Sequence, residues 1–416
     1  MLNNTSLLLI YPSFNMDITQ TSALPDPQAS SGLQSYAPLY KDELVNNVLP
    51  FWLQHSKDTV NGGYFTCLNR DGSVYDTDKF MWLQGREVWC FSYLYNWVEK
   101  KPEWLDMALH GAAFMEKWGR DEEGNWYFSL TADGRPLVQP YNIFSDCFAC
   151  MAFASLDKAQ PNDRYKKVAL DTFENILRRQ DNWKGRYNKA YPGTRNLKSF
   201  SLPMILCNLS LELEHLLGTE RVNEFIPTVV HEVMEVFYQP ESGLILENVW
   251  EDGSFCDSFE GRLSNPGHAI EAMWFIMELG KRTGDTALIS KACNIMLNTL
   301  EWGWDKEWGG IFYFLDIKGS PPQQLEWNQK LWWVHVEALV ALAKGYKLTG
   351  DERCLSWFKK VHDYSWSRFR DPEYGEWFGY LDRRGEVLLP LKGGKWKGCF
   401  HVPRALYQVW KTLETL

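Results

Sequence analysis

Along this chain, stretches that are apolar on nearly every side alternate with stretches that keep one polar face. Ser264 to Gly280, SNPGHAIEAMWFIMELG, is of the first kind. It opens on Asn265 and Pro266, both helix-start residues, and then presents almost no hydrophilic side, so the pattern predicts a helix buried all round. RYKKVALDTFENILRRQD and DTALISKACNIMLNTLEWGW are of the second kind, with apolar residues at helical spacing and charge on the remaining face. Before the apolar helices stand aromatic runs broken at an Asp-Gly or similar turn, which predict short hairpins. From about Tyr40 this order returns at a period of roughly 60 residues, in units that open at Gly62, Gly124, Gly185, Gly243, Gly310 and Gly375. Each unit is read as a hairpin, an apolar helix and then a charged, amphipathic one. Six such units predict an all-α fold, an (α/α)6 barrel of six helix pairs with short β-hairpins at one end. The inner helices would begin at that end, bringing residues far apart in sequence around one pocket.

Residues 39–416 are assigned to the barrel and residues 1–38 to a tail expected to be disordered, with Met16 as an alternative start of translation. No Lys or Arg precedes Lys41, so the charged region of a secretory signal is missing. The net charge of −10, without a long basic run, argues against nucleic acid or an anionic membrane as the main partner. No uncharged apolar run is long enough to cross a bilayer. A small, neutral ligand suits the composition better, and 21 Trp and 19 Tyr are the flat amphipathic rings that a sugar cleft or a tight helical core would use. Nine cysteines without zinc-like spacing point to reduced thiols and a cytoplasmic protein. Cys147 and Cys150 form a Cys-x-x-Cys inside an apolar run, read as structural, and Leu202, Leu209 and Leu216, spaced by seven, are read as core.

Aligning the inner-helix starts superposes Glu271, Glu337 and Arg404, each followed by Ala and an apolar residue. Three positions earlier stand His268, Val334 and His401, so two histidines share a register, while His335 is shifted by one and turned about 100° away. Arg86 occupies the corresponding opening of the first unit. His55, His110, His215, His231 and His362 lie in ordinary contexts and are read as structural or solvated. Two imidazoles facing across a pocket are suited to moving a proton at carbon, one removing it and the other returning it near neutral pH. Arg86 is the fixed positive charge that could stabilise an enolate oxygen. Glu271, one helical turn from His268, could orient that ring, and Glu337 could do so for a facing histidine; capping or pairing within the bundle is the alternative for both. No metal or redox cofactor is expected, since no HExxH, carboxylate cluster or facial triad is present.

The segments MWLQGREVWCFSYLY, GRYNKAYPGTRNLKSF, SNPGHAIEAMWF and KGCFHVPRALY resemble the N-acylglucosamine 2-epimerase family, across nearly everything after Tyr40. The resemblance implies an isomerase of carbohydrate metabolism that interconverts N-acetylglucosamine and N-acetylmannosamine at C2 of the open-chain sugar. It implies His268 and His401 as the acid/base pair with Arg86 and Glu337 in support, and Trp332 and Trp396 against the sugar; Glu271, from its spacing, is added to the catalytic group and Arg404, in the same register, to the sugar contacts. It also implies ATP as an allosteric activator and a homodimer. Without a Gly-x-x-x-x-Gly-Lys-Ser/Thr loop, the nucleotide is assigned to Arg186, Lys189, Arg195 and Lys198 around a Pro-Gly turn. Cellobiose 2-epimerases and aldose–ketose isomerases share the scaffold and remain the alternative. A glycoside hydrolase would leave the paired histidines without a task, and a non-catalytic binding protein would not need His268, His401 and Arg86 together.

Overall fold

The computed structural model describes residues 32–182, 184–191 and 193–416. The expected tail up to residue 31, with the alternative start at Met16, lies outside the described residues. The last part of that tail is inside them: Leu33–Tyr36 forms a tight helical turn whose Leu33 and Tyr36 are buried. The fold therefore begins earlier than residue 39.

The described helices are α1 (Ala37–Asp42), α2 (Leu49–His55), α3 (Met81–Trp97), α4 (Pro102–Trp118), α5 (Phe144–Ala159), α6 (Asp163–Arg179), α7 (Ser201–Glu212), α8 (Glu214–Leu217), α9 (Thr219–His231), α10 (Pro266–Thr283), α11 (Thr286–Gly303), α12 (Trp332–Thr349), α13 (Glu352–Arg368) and α14 (His401–Glu414). The inner ring is α3, α5, α7, α10, α12 and α14, and α4, α6, α9, α11 and α13 lie outside it. The sixth outer position departs from the expected order. The chain ends with inner helix α14, and its outer partner is the α1–α2 segment from the start of the chain. Polar contacts tie the same segment to α13 and the stretch that follows it: Tyr40 Oη meets His362 Nδ1 at 3.0 Å, and Glu43 accepts from Arg370 Nε at 2.7 Å and Trp377 Nε1 at 2.9 Å.

Local chemistry sets the helix boundaries. Asn265 caps α10 by accepting from His268 N, with Pro266 at the first helical position. The same Thr-Gly-Asp triplet joins α10 to α11 and α12 to α13. Gly284 and Gly350 take positive φ after the last turn (75° and 70°), and the Asp285 and Asp351 side chains cap the next helix. Leu202 and Leu209 are buried on α7, but Leu216 lies beyond its end in α8, so the spacing of seven does not run along one helix.

At the hairpin end, the strand entering one inner helix pairs with the hairpin of the next unit. Lys79–Phe80, ahead of α3, pairs with Ser129–Leu130, and Lys330–Leu331, ahead of α12, pairs with Tyr380–Leu381. An aspartate repeated at the close of several outer helices locks this end. Asp58, Asp305 and Asp371 each accept from backbone N–H groups just downstream. Each also pairs with a fully buried lysine: Lys79 at 2.8 Å, Lys330 at 3.0 Å and Lys392 at 2.8 Å. Burial pushes the Lys330 and Lys392 amines down to about 8 despite these partners, a measure of how dry the end plate is. Removing one member leaves an uncompensated buried charge. Lys79→Ala is therefore expected to lose about 3–5 kcal/mol of unfolding free energy. Replacing both partners, Lys79→Met with Asp58→Asn, is expected to recover part of that loss in a urea titration.

Candidate active site

The first turns of α10 and α14 carry His268 and His401, which flank one indole. Trp333 lies 5.3 Å from the His268 ring and 5.6 Å from the His401 ring, centroid to centroid. Each imidazole is held through Nδ1 by a carboxylate, which leaves Nε2 as the nitrogen available for chemistry. For His401 that carboxylate is Glu337, at 2.8 Å. For His268 it is Glu247, at 3.0 and 3.1 Å.

This corrects the expected role of Glu271. Although one turn from His268, it does not hold that ring; it binds Arg404 Nη2. The same nitrogen donates to Glu337 Oε1 at 2.6 Å, while Trp274 Nε1 donates to Glu337 Oε2 at 2.9 Å. Arg404 was expected against the sugar, but it is 3% exposed in its side chain and committed to the two carboxylates. It is a support beneath the histidines. Glu271, Glu337 and His401 place ligand atoms within 4.8 Å of one another, a grouping that could hold a metal ion. The guanidinium bridging both carboxylates already supplies the positive charge they require.

Arg86 sits at the same register of α3, in an aromatic cage. Its guanidinium lies 4.3 Å from Trp82, 4.0 Å from Phe148 and 4.7 Å from Phe400, and its Nε has no hydrogen-bond partner among the described residues. Burial pushes it down to about 9, with Glu271 favouring and Arg404 opposing its charge, so it remains a cation at neutral pH. Trp332 is buried 6.4 Å from His401, whereas Trp396, 48% exposed, packs 5.6 Å from Trp82 at the rim. Of these aromatic rings, Trp396 is the one open enough to meet an arriving ligand.

The two histidines are driven apart electrostatically. Burial disfavours the charge on His268, but Glu247, through its charge and hydrogen bond, and Glu271 outweigh it and raise the imidazole above its ordinary value. Burial and the Arg86 charge, followed by Arg404 and His268, hold His401 well below it despite Glu271. The cleft thus favours the proton on His268 over His401, a difference in environment that assigns acid and base roles.

The remaining expected residues lie elsewhere. His335 is fully buried, its Nε2 accepting from Ile311 N at 2.9 Å and its Nδ1 against Leu331 O, and burial pushes it down to about 3. Arg195 pairs with Glu260 at 3.0 Å and Lys198 with Glu232 at 2.6 Å, while Arg186 and Lys189 are exposed. Pro192 of that loop is outside the described residues. The strand Leu197–Ser199 pairs with Asn248–Trp250, immediately after Glu247, so the basic loop borders the cleft. Cys147 and Cys150 are buried free thiols, pushed well up by burial.

Sequence reasoning missed Glu247, Trp333 and the cage around Arg86. A signal for Glu247 exists. Six residues before each hairpin glycine stand Thr66, Phe128, Glu247, Tyr313 and Gly379, and Glu247 is the charged member of that set. An NMR titration of the histidine rings is expected to show His268 titrating above about 6.5 and His401 below it. Glu247→Gln should bring His268 down while leaving His401 nearly unchanged.

The sequence profile of the family described as N-acylglucosamine 2-epimerase (GlcNAc 2-epimerase) matches residues 63–405. The N-acylglucosamine 2-epimerase of Rattus norvegicus is 41% identical over 371 residues, 87% of this chain and 88% of that protein. A cellobiose 2-epimerase of Ruminococcus albus is 24% identical over 412 residues, 89% of this chain and 97% of that protein. The structure of cellobiose 2-epimerase from Bacillus thermoamylovorans matches with a TM-score of 0.78 at 21% identity, covering 91% of this chain and 99% of that one. Together with the paired histidines at one end of an (α/α)6 barrel, these likenesses establish that the chain belongs to the N-acylglucosamine 2-epimerase family.

Proposed function

We propose that this protein interconverts N-acetyl-D-glucosamine and N-acetyl-D-mannosamine by proton transfer at C2, and that His401 and His268 are the two proton-transfer groups. The observation that carries the mechanism is the pair of carboxylate-anchored imidazoles, shifted in opposite directions on either side of Trp333. The choice of an N-acetyl sugar rests on 41% identity to the rat epimerase against 24% to the cellobiose enzyme.

In the open-chain sugar, the proton on C2 is acidic because the resulting electron pair moves onto the aldehyde oxygen. Neutral His401 Nε2 takes that proton, and Arg86 stabilises the enolate oxygen from its water-poor cage. Protonated His268 then delivers a proton to the opposite face of C2, the carbonyl re-forms, and the configuration is inverted. For the other epimer the same steps run in reverse. Glu337 and Glu247 orient the rings and stabilise the imidazolium each becomes. Trp396, exposed at the rim, supplies a ring for the sugar.

Proton NMR with N-acetylglucosamine in D2O is expected to show N-acetylmannosamine carrying deuterium at C2. Turnover without C2 exchange would exclude the two-histidine route. His268→Ala and His401→Ala should each lower kcat by about 10²–10⁴-fold with folding retained. The singly protonated pair is the reactive form in both directions. The pH profile of kcat/KM should therefore be bell-shaped, its acid limb below about 6.5 from His401 and its alkaline limb above it from His268.

The same reading includes ATP as an activator that is not consumed, held by the basic loop beside the cleft, and a homodimer in the cytoplasm. Arg186 and Lys189 are exposed in that loop, whereas Arg195 and Lys198 are engaged by Glu260 and Glu232. Arg186→Ala with Lys189→Ala is expected to raise the half-activating ATP concentration by roughly tenfold, leaving the rate without ATP unchanged. An unchanged ATP response would move the nucleotide elsewhere.

A further inference from the structure

The inner helices have two ends, and the cleft uses one. At the other, where α3, α7, α10, α12 and α14 terminate, a cavity of about 400 Å³ opens between their last turns. Its floor includes Arg404, whose Nε has no hydrogen-bond partner among the described residues although the side chain is 3% exposed. The layer of charge beneath the histidines is thus also the floor of this second chamber.

Two lysines of the lining pair with one carboxylate, and the charge of a third also acts on it. Lys344 Nζ lies 2.7 Å from Glu278 Oε1 and Lys281 Nζ lies 3.8 Å from Glu278 Oε2, while Lys347 Nζ donates to the Thr415 hydroxyl. Burial lowers the proton affinity of Lys344, and although Glu278 opposes this, the charges of Lys281 and Lys347 add to the lowering. A cation near the end of each helix is explained by the helix dipole, and Lys281, Lys347 and Lys411 fit that account. It does not explain Lys344, buried within α12, nor the unpartnered Arg404 Nε. The opposite wall is aromatic: Tyr93 stacks on Trp89 at 4.5 Å, and Trp97 at the rim is 52% exposed.

The lining sets Lys281, Lys344, Lys347, Lys411 and Arg404 against Glu212 and Glu278, and this surplus of positive charge beside the exposed Trp97 ring, in a protein of net charge −10, describes a ligand with an anionic end and a ring. A carboxylate would satisfy one lysine, whereas a phosphate monoester, with close to two negative charges and three acceptor oxygens, matches the group. We propose that this lower mouth binds a phosphate monoester of a small ring compound. Its phosphate lies among Lys281, Lys344 and Lys347, and its ring lies against Trp97 and Tyr93. The binding does not depend on the sugar chemistry assigned to the upper cleft.

Calorimetric titration of the full chain with inorganic phosphate, and separately with N-acetylglucosamine 6-phosphate, tests this. Saturable binding of the phosphosugar is expected, with phosphate alone weaker. Lys281→Met with Lys347→Met, both on exposed positions, should weaken the phosphosugar by roughly tenfold or more with an unchanged melting temperature. Trp396→Ala, at the upper rim, should leave it unaffected. Failure of the phosphosugar to bind, binding that survives the lysine substitutions, or loss of binding in Trp396→Ala would each overturn the proposal. None of these outcomes bears on whether the upper cleft epimerises a sugar.

Discussion

The guanidinium of Arg404 between Glu271 and Glu337 is the contact on which the site depends. Two carboxylates this close in a dry interior repel each other, and the guanidinium between them compensates both buried charges. With the cation in place, Glu337 remains available to hold His401, and the same positive charge helps keep that imidazole neutral. One buried cation therefore braces the carboxylate that orients His401 and, 3.4 Å from the ring, adds to the burial and the Arg86 charge that lower its proton affinity.

The repeat explains how so much charge comes to lie in one plane. Arg86, Glu271, Glu337 and Arg404 occupy one register of four inner helices, so the barrel stacks them at one level with the histidines one turn above. Two guanidiniums balance two carboxylates in the layer, and aromatic rings close it, Trp274 against Glu337 and Phe400 against both guanidiniums. Above the layer the helix starts and hairpins form a cleft; below it the helix ends form a second chamber. A single charged floor serving two chambers follows from placing ionic groups at one level of an inner ring.

The asymmetry of the two histidines has a local origin. His401 lies beside two guanidiniums and is nearly buried; His268 is a quarter exposed and faces Glu247, away from Arg404. Equivalent positions in a repeat thus acquire opposite tendencies from their neighbours alone.

Much of this was legible before any coordinates. The alternation of fully apolar and half-polar helices and the hairpin turns act over a few residues, and a period is a property of the chain itself; hence the barrel, its inner ring and the shared register of His268 and His401 could be read directly. What holds what could not. Glu271 is one turn from His268 and yet binds Arg404, whereas the ring is held by Glu247, twenty-one positions earlier on a different element. Arg404 is bound to two carboxylates from other helices, and the partner of the last inner helix is the α1–α2 segment at the opposite end of the described residues. These outcomes depend on which side chains meet when the ring closes, and a closed ring brings together residues that no local pattern relates. Helical periodicity determined the side of the helix on which each group stands, and only the packed barrel decided which group it faces.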